Sequence, residues 1–378
     1  MRVTYSDIED VIAEADKLKD VVRLEQGEPA FRTPRHIQDA AVAALRAGYT
    51  KYTEIDGLLE LRKAIAHKLK MENGLDANPE SEVIVTAGAS EAVFTAMQAV
   101  LDPGDEALIP DPGYVSYERC VSLAGGVPVY YPLKPDREFR IDIETMKERI
   151  THRTKLVLIN SPGNPAGNVF TKNELSGVSD VCVDNDLIAI ADEVYEKIVY
   201  DGNKHLSLGS FPGMEQRTIT VNSFSKTYAM TGWRIGYAVA SGQLADQVRK
   251  VHSTALICVD SLAQYGALAA LSGPQDCVKR MLLEYQKRRK SLVTGLNKMN
   301  NVSCDMPQGA FFAFADITKL GIASRDLSLK LLREGKVSTI PGSGFGRMGE
   351  GRVRISFTAS PKDIEEGVRR ISRVVTNA

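Results

Sequence analysis

The sequence predicts an α/β fold, because apolar runs typical of buried strands alternate with stretches of helical periodicity. Three such runs lead into Asn164, Asp192 and Lys226, which lie about one βα unit apart. In open α/β sheets, ligands bind at the carboxyl ends of the strands. We therefore expect these three polar residues to converge on one crevice.

The composition is ordinary for a soluble globular protein. The chain has 378 residues, 43% hydrophobic and 25% charged, with a formal net charge of −1. That length exceeds what one hydrophobic core usually serves, so two domains are expected. The near-zero charge and the lack of long basic runs disfavour nucleic acid and anionic membrane as partners.

The N-terminal segment and the cysteines indicate a cytoplasmic setting. Residues 1–20 mix acidic side chains with apolar positions that share one helix face, so neither a signal peptide nor a membrane span is expected. The five cysteines are scattered, odd in number and without a Cys-x-x-Cys pair. A reduced compartment fits this pattern best.

Residues 218–236, TITVNSFSKTYAMTGWRIG, carry the most specific chemical signal. A β-branched run precedes a turn with Ser223, Ser225 and Lys226, and Arg234 follows shortly after. A lysine at the end of a buried strand is partly desolvated, which lowers its pKa and favours the nucleophilic amine of a Schiff-base lysine. Serine and arginine beside it can bind a phosphate group. An amine next to a phosphate site indicates pyridoxal phosphate, whereas an isolated lysine would more simply be a surface residue.

The pattern Ser-x-Ser-Lys followed by Gly-x-Arg-x-Gly resembles the lysine signature of class I and II aminotransferases, the fold-type-I pyridoxal phosphate enzymes. The resemblance runs from Gly27 to Arg354 and is closest to bacterial and archaeal aspartate and aromatic aminotransferases. It implies a large α/β domain with a mostly parallel sheet (residues 36–280) and a small α+β domain formed by both chain ends (residues 1–35 and 281–378). It also implies a homodimer with shared active sites.

Two early segments match this family. Gly27 belongs to a Gly-Glu-Pro sequence whose glycine, in relatives, lies beside the substrate carboxylate; it could also be a turn glycine. Tyr52 lies in a polar and aromatic loop ahead of a helix predicted over residues 58–69. The resemblance implies that Tyr52 reaches the cofactor phosphate of the partner subunit, although by itself it would be an ordinary loop aromatic.

The segment at residues 82–90 predicts a second part of the phosphate site. A β-branched strand (residues 82–88) meets a helix through Gly88, Ala89 and Ser90. Small residues let backbone N–H groups at a helix N-terminus approach an anion closely. Any βα unit can show this pattern, but together with Ser223 and Arg234 it predicts a phosphate site.

The next strand, predicted at residues 107–109, is expected to break at Pro110 and Pro112. Tyr114 follows where relatives place an aromatic side chain that stacks on the pyridine ring of the cofactor. Tyr117 is expected to serve packing.

The next two strand ends supply groups that the family uses around the cofactor ring. Asn164, in an Asn-Pro-x-Gly motif, would donate to the phenolic oxygen of the cofactor and later to the substrate carboxylate. Asp192 would pair with the protonated pyridine nitrogen, and Tyr195 would bond the phenolic oxygen. The alternative for the acidic pair is a helix-capping Asp192 with a solvated Glu193.

A long amphipathic helix predicted over residues 276–300 leads into the C-terminal part of the chain. There, Arg352 and Arg354 share one face of a predicted strand, and a cationic fork is the natural partner of a substrate carboxylate. The family's Arg-x-Ser motif favours Arg354 and leaves Arg352 to solvent, but strand alternation alone does not separate the two.

Two other patterns carry no function in this interpretation. Residues 344–349, GFGRMG, match a dinucleotide-binding pattern but precede a strand instead of a helix, so a loop between strands is expected. The five histidines show no metal-ligand spacing, and no metal site is expected.

The predicted activity is ping-pong transamination, in which Lys226 moves a proton from the substrate Cα and the amino group passes to a 2-oxo acid such as 2-oxoglutarate. Aspartate and aromatic donors both stay open: Ser90 stands where relatives devoted to aspartate can carry a basic residue, and Tyr114, Phe311 and Phe345 could accommodate an aromatic side chain. The same scaffold can also run β-elimination as a cysteine-conjugate lyase. A transcriptional regulator of this fold would need a fused DNA-binding domain.

Overall fold

The computed structural model describes residues 7–376, in which strands and helices alternate over most of the chain. The strands β1–β12 are, in chain order, Val22–Arg23, Val83–Thr86, Glu106–Asp111, Val127–Pro132, Thr154–Asn160, Ile188–Asp192, Thr218–Ser223, Gly236–Val239, Phe312–Asp316, Val337–Ser338, Ile340–Pro341 and Arg352–Ser356. The α-helices α1–α13 are Asp7–Ala15, Arg35–Arg46, Leu59–Lys68, Ala89–Val100, Ser116–Leu123, Ile143–Lys147, Lys172–Asp184, Phe224–Thr227, Gly242–Ala255, Ser261–Ser272, Asp276–Leu296, Ser324–Gly335 and Pro361–Thr376.

Seven strands form the main sheet, in the order β2-β8-β7-β6-β5-β3-β4. All of their described pairings are parallel except those of β8, which runs antiparallel to β2 and β7. Strands buried on both faces read as continuous apolar runs, as β5, β6 and the start of β7 do. The predicted α/β fold with a mostly parallel sheet is confirmed.

Alternate residues of β5 show how helices cover both faces of this sheet. Leu156 and Leu158 face one core cluster, which α4 and α9 complete. Val157 and Ile159 face another cluster, to which α7 contributes. Successive side chains of a strand point to opposite faces, so an uninterrupted apolar run serves both layers. The carboxyl ends of β2, β5, β6 and β7 lie at the same edge of the sheet.

The two chain ends build further sheets beside the main one. Strands β11, β12 and β9 form an antiparallel sheet in that order, and β1 pairs in parallel with β10. Helices α11 and α13 cover these strands through apolar side chains such as Leu292, Leu296, Ile364 and Ile371. The long helix predicted over residues 276–300 ends at Leu296.

Several predicted element ends differ from the structure. Strand β3 continues through Pro110 to Asp111, because its pairing with β5 covers only Glu106 to Leu108 and no N–H is required from the proline on that side. Helix α3 continues as a π turn over Leu69–Asn73. Residues 344–349 fall in 3-10 turns and their connection between β11 and β12, as expected for a loop.

The described chain contains no helix long and apolar enough to cross a membrane. The first six residues of the N-terminal segment considered above lie outside the described residues. The predicted apolar helix face there begins in the structure with α1, whose Val11 and Ala15 are buried against Leu332 of α12.

Candidate active site

One cavity of about 590 Å³ lies at the carboxyl edge of the main sheet. Asn160, Asp192 and Ser223, the last residues of β5, β6 and β7, all line it. The predicted site residues that line the cavity are Gly27, Ala89, Ser90, Tyr114, Asn164, Asp192, Tyr195, Ser223, Lys226, Arg234 and Arg354. Groups from both the main sheet and the chain ends therefore face one space.

Lys226 belongs to the single-turn helix α8, which begins directly after β7. Its Nζ donates a hydrogen bond to the carbonyl oxygen of Gly27 at 2.6 Å. Burial, reinforced by the positive charge of Arg354, lowers the pKa of Lys226 to about 8. About a tenth of the amine is therefore neutral and nucleophilic at pH 7, far more than for a lysine of ordinary pKa.

Asp192 ends β6 with its carboxylate buried in the cavity floor. Its Oδ2 accepts a hydrogen bond from the hydroxyl of Tyr117 at 2.7 Å, and its Oδ1 accepts one from the backbone N–H of Val194 at 3.3 Å. Burial raises the pKa of Asp192 to about 6 against these two donors. Tyr117, expected to serve packing, is a hydrogen-bond donor to this carboxylate. Glu193, solvated in the alternative interpretation, is buried.

The other end of the cavity is rich in hydrogen-bond donors. Ser223 accepts a bond from the backbone N–H of Ser225 at 3.1 Å, and the Ser223 hydroxyl also lies 2.9 Å from that of Ser225. Arg234 has a left-handed backbone, with φ of 51°, and its Nη1 donates to the Thr231 carbonyl at 2.9 Å. Hydroxyls and a guanidinium in one corner suit a phosphate group.

Two glycines bring the first turn of α4 to the same corner. A Cβ on Gly88 would lie 2.7 Å from Nη2 of Arg234, and a Cβ on Gly236 would lie 2.9 Å from the backbone nitrogen of Ala89. Gly88 also has φ of 82°, which favours glycine. Because both positions lack side chains, the helix N-terminus and Arg234 share one site, and the donor set fits the phosphate of pyridoxal phosphate.

Arg354, from β12, lines the same cavity. Its Nη1 donates to Oδ1 of Asn164 at 3.0 Å, and its Nη2 donates to the Glu25 carbonyl at 2.8 Å. Its guanidinium carbon lies 4.1 Å from the ring centroid of Phe312 and 5.0 Å from that of Phe345. Buried Nε has no hydrogen-bond partner among residues 7–376, so an anionic ligand can still be bound here.

The predicted aromatic residues take different positions. Tyr195 is buried, with its ring edge-on to Phe311 at a centroid distance of 5.3 Å. Tyr114 is partly exposed at the cavity wall and packs edge-on to Tyr117 at 5.6 Å. Tyr52 is 79% exposed and lies outside the cavity, so the structure of one chain does not bring it to the other site residues.

Arg352 was expected to face solvent, and this expectation is wrong. The residue is only 9% exposed, and its Nη2 donates to Oδ2 of Asp316 at 2.8 Å. Its guanidinium carbon also lies 5.2 Å from the ring centroid of Phe139. Aromatic side chains cover the face of β12 that carries both arginines, Phe139 against Arg352 and Phe345 against Arg354. The ion pair with Asp316 holds Arg352 outside the cavity.

The sequence did not predict a role in the site for two further residues, Asn160 and Tyr117. Asn160 accepts a bond from the backbone N–H of Asn164 at 2.8 Å and donates to the Asp192 carbonyl at 3.0 Å. Asn160 thus connects Asn164 to Asp192. Its position at the end of the apolar run of β5 is the sequence signal that could have identified it. Tyr117 belongs to a helix 75 residues before Asp192, and no local pattern predicts that contact.

A largely buried polar cluster includes Glu193, the residue after Asp192. The ligand-type atoms of Glu193, Glu196 and His205 lie within 4.8 Å of one another, although the histidine spacing gave no sign of such a group. Lys68 donates a hydrogen bond to Glu196, and His205 lies 3.0 Å from Glu193. These two basic side chains already provide partners for the two carboxylates.

The family profile described as aminotransferase class I and II matches residues 19–371. Among curated proteins, the aspartate aminotransferase of Pyrococcus abyssi is 43% identical over 99% of this chain and 96% of its own. The aromatic-amino-acid aminotransferase 2 of Thermococcus litoralis is 39% identical, with the same coverage.

Solved structures agree with these sequence comparisons. The aromatic aminotransferase from Pyrococcus horikoshii superposes with a TM-score of 0.93 at 42% identity, over 98% of this chain and 99% of its own. The Thermus thermophilus aspartate aminotransferase with maleate superposes with a TM-score of 0.93 at 36% identity, over 99% of this chain and 100% of its own. Family, fold and donor set agree, and the chain therefore belongs to the class I and II aminotransferases, as a pyridoxal-phosphate-dependent transaminase.

Proposed function

We propose that this transaminase takes the amino group of L-aspartate or an aromatic L-amino acid and passes it to a 2-oxo acid such as 2-oxoglutarate, in two half-reactions at one site. The observation that carries the proposal is that Lys226, with a pKa lowered to about 8, lines the same cavity as Arg354, which still has an unsatisfied donor among the described residues. The names of the relatives from Pyrococcus abyssi and Thermococcus litoralis support these donors.

Pyridoxal phosphate, when bound, supplies a conjugated ring that accepts the electron pair left on the substrate Cα when its proton is removed. The side chains that we expect to bind this cofactor are those whose chemistry matches its parts. The expected contacts are the amine of Lys226, the carboxylate of Asp192, the ring of Tyr114, the polar groups of Asn164 and Tyr195, and a phosphate site of Gly88, Ala89, Ser90, Ser223 and Arg234, joined by Tyr52 of the partner subunit.

Lys226 is the base in this proposal. A general base is most effective when its pKa lies near the working pH, and burial lowers that of Lys226 from the usual range to about 8. Its hydrogen bond to the carbonyl of Gly27 holds the amine between the cavity floor and the N-terminal part of the chain. The same amine could hold the proton taken from the substrate Cα and deliver it to the cofactor carbon next to the transferred nitrogen.

Arg354 and Asn164 would fix the substrate. A guanidinium binds a carboxylate through two parallel hydrogen bonds, which sets orientation as well as charge. The existing bond from Arg354 to Asn164 keeps both groups on one side of the cavity, and Gly27 leaves room beside them. With the α-carboxylate held there, the Cα hydrogen can be presented to Lys226.

Asp192 would hold a proton on the ring nitrogen of the cofactor. The carboxylate must be ionised for this, and burial works against ionisation by raising the pKa of Asp192 to about 6. The bonds donated by Tyr117 and by the Val194 backbone oppose that effect. A cationic ring nitrogen opposite Asp192 would further favour the ionised form.

We also propose a homodimer with shared active sites, in which residues 36–280 form the large domain and the chain ends the small one. Tyr52 is exposed, and the large apolar or aromatic side chains Tyr49, Ile55 and Ile257 are exposed as well. Exposed aromatic groups of this kind are enriched at interfaces. A cytoplasmic location is proposed because all five cysteines are free thiols.

The test is a titration of the holoenzyme with single amino acids and no oxo-acid acceptor. L-aspartate, L-tyrosine or L-phenylalanine should release its oxo acid once per site, with conversion of the visible band of the bound cofactor to that of its aminated form. L-alanine and a cysteine conjugate serve as comparison ligands. Continuous release of pyruvate from the conjugate without an acceptor would identify a lyase and overturn the proposal.

A further inference from the structure

A bidentate ion pair borders the active-site cavity. Nη1 of Arg119 in α5 lies 2.6 Å from Oε1 of Glu9 in α1, and Nη2 lies 3.1 Å from Oε2. Both residues line the cavity that contains Lys226 and Arg354. The pair therefore joins α1 to α5 at the wall of the site, and the carboxylate of Glu9 occupies both Nη atoms of the Arg119 guanidinium.

The cavity has two positively charged side chains beyond those that the proposed mechanism uses. Among the described residues that line it, these are Arg23 and Arg119. Arg23 donates a hydrogen bond to Glu25, whose side chain is only 1% exposed and whose Oε2 has no partner among residues 7–376. Withdrawing Arg23 would leave a buried carboxylate without its counter-charge, which is unfavourable.

Arg119 is in a different situation. The side chain of Glu9 is 33% exposed, so water can solvate its carboxylate after the pair opens. Replacing one carboxylate by another keeps both hydrogen bonds of the guanidinium and needs no proton transfer. Of these two arginines, Arg119 is therefore the one that an anionic ligand can bind at the lower cost.

We propose that Arg119 determines specificity by binding the side-chain carboxylate of dicarboxylic substrates in place of Glu9. Donors with neutral side chains leave the Glu9–Arg119 pair closed and pack against apolar groups of the same wall, which include Ile8, Ile12 and Phe345. This inference deepens the proposed function and rests on it. It supplies a cation for aspartate and 2-oxoglutarate in a chain that has Ser90 beside the phosphate site.

The exchange requires Glu9 to move away from the ligand while α1 stays in place. Helix α1 has other anchors on the side of α12: Arg325 lies 3.1 Å from Asp7, and Arg333 binds Glu14 through bonds of 2.6 and 2.9 Å. Neither of these two arginines lines the cavity. Arg333→Met therefore removes an ion pair of α1 without changing the charge of the site, and it is the matched control for Arg119→Met.

The experiment measures binding of two unreactive ligands to the holoenzyme by calorimetry: maleate, with two carboxylates, and 3-phenylpropanoate, with one carboxylate and an aromatic group. Arg119→Met should weaken maleate binding about 10- to 100-fold and leave 3-phenylpropanoate within about twofold, since one charge-assisted contact is lost. Arg119→Lys should recover part of the loss, Glu9→Gln should strengthen maleate binding, and Arg333→Met should change neither ligand. Steady-state kinetics should show the same loss as a higher KM for aspartate, with kcat changed less.

Equal weakening of both ligands by Arg119→Met would indicate a structural role and overturn the inference, as would unchanged maleate binding. The outcome is separable from that of the proposed function. If neither aspartate nor an aromatic amino acid releases an oxo acid but maleate binding still depends on Arg119, the proposed donors are wrong and the anion site stands. If transamination occurs and maleate binding is indifferent to Arg119, this inference alone fails.

Discussion

The hydroxyl oxygen of Tyr117 lies 2.7 Å from Oδ2 of Asp192, and both side chains are buried. The bond joins helix α5 to the end of strand β6. Two residues further along the same helix, Arg119 reaches Glu9 at the cavity wall. Helix α5 therefore contacts the cavity at two places, the floor below the proposed cofactor and the wall beside the proposed substrate side chain.

The bond from Tyr117 should help to keep Asp192 ionised. In Tyr117→Phe the lost hydrogen bond to a charged group, worth about 1.5–3 kcal/mol, should raise the pKa of Asp192 further. We expect the acidic limb of the kcat pH profile to shift upward by about one unit or more and cofactor affinity to fall. Steady-state kinetics measures the pH profile, and equilibrium dialysis of pyridoxal phosphate measures the affinity.

Tyr131→Phe is the control for that variant. The Tyr131 hydroxyl is also buried, but it donates to the Leu158 carbonyl at 2.9 Å, outside the cavity. This variant should lose about 1 kcal/mol of stability and keep the pH profile. If both variants leave the profile unchanged, Tyr117 has no role in the ionisation of Asp192.

Arg354 and Arg352 should differ sharply in their effect on catalysis. Arg354→Met should raise KM about 100-fold for donors and acceptors alike, because every substrate has an α-carboxylate to bind. Arg352→Met should instead cost about 1 kcal/mol of unfolding free energy by breaking the pair with Asp316, with little change in KM. The measurements are steady-state kinetics and urea unfolding, and a reversed pattern would transfer the substrate role to Arg352.

Lys226 should destabilise the cofactor-free protein. Its pKa in the folded chain is lowered to about 8, below that of an unfolded lysine at about 10.4, so the folded state binds fewer protons between these values. The destabilisation is complete below pH 8. It disappears as the pH rises toward the pKa of the unfolded lysine, about 10.4.

Lys226→Met should therefore make the cofactor-free protein more stable than the wild type at pH 7, by about 1–3 kcal/mol. The difference should shrink by pH 10. Urea unfolding at the two pH values measures it. A variant that is less stable at pH 7 would show that the charged amine is well accommodated in the folded state.

His205 should stabilise the fold mainly at low pH. Burial lowers its pKa, but the charge and hydrogen bond of Glu193 outweigh burial, and the net pKa is raised. The stabilisation is complete below the unfolded value of about 6.5 and is lost as the pH rises through the folded pKa. The stability difference between wild type and His205→Gln should therefore be largest at pH 6 and decline toward pH 9 in thermal unfolding curves. A difference that grows with pH would contradict this assignment.

The sequence predicts the part of the site that follows apolar runs along the chain. Asn164, Asp192 and Lys226 each lie at or shortly after the end of a strand, so local patterns indicate their convergence. Arg119 and Glu9 are 110 residues apart in the sequence and meet only through the packing of the chain ends. No periodicity predicts such a contact.

Burial by tertiary packing explains the wrong expectations as well. Arg352 shares a strand face with Arg354, and both are buried because Phe139 and Phe345, from other segments of the chain, pack on that face. Tyr117 looks like a packing residue because its helix face is largely apolar, and its partner Asp192 comes from a distant strand. Local patterns therefore locate strand ends well, whereas long-range packing decides which polar partners meet there.

The attachment of the cofactor to Lys226 is tested most directly by reducing the holoenzyme with borohydride, digesting it and locating the cofactor by mass spectrometry. We expect one pyridoxyl group per chain, on the peptide that carries Lys226, and none in Lys226→Arg treated in the same way. A group attached to a different lysine, or no attachment in a protein shown to hold the cofactor, would contradict the central role of Lys226.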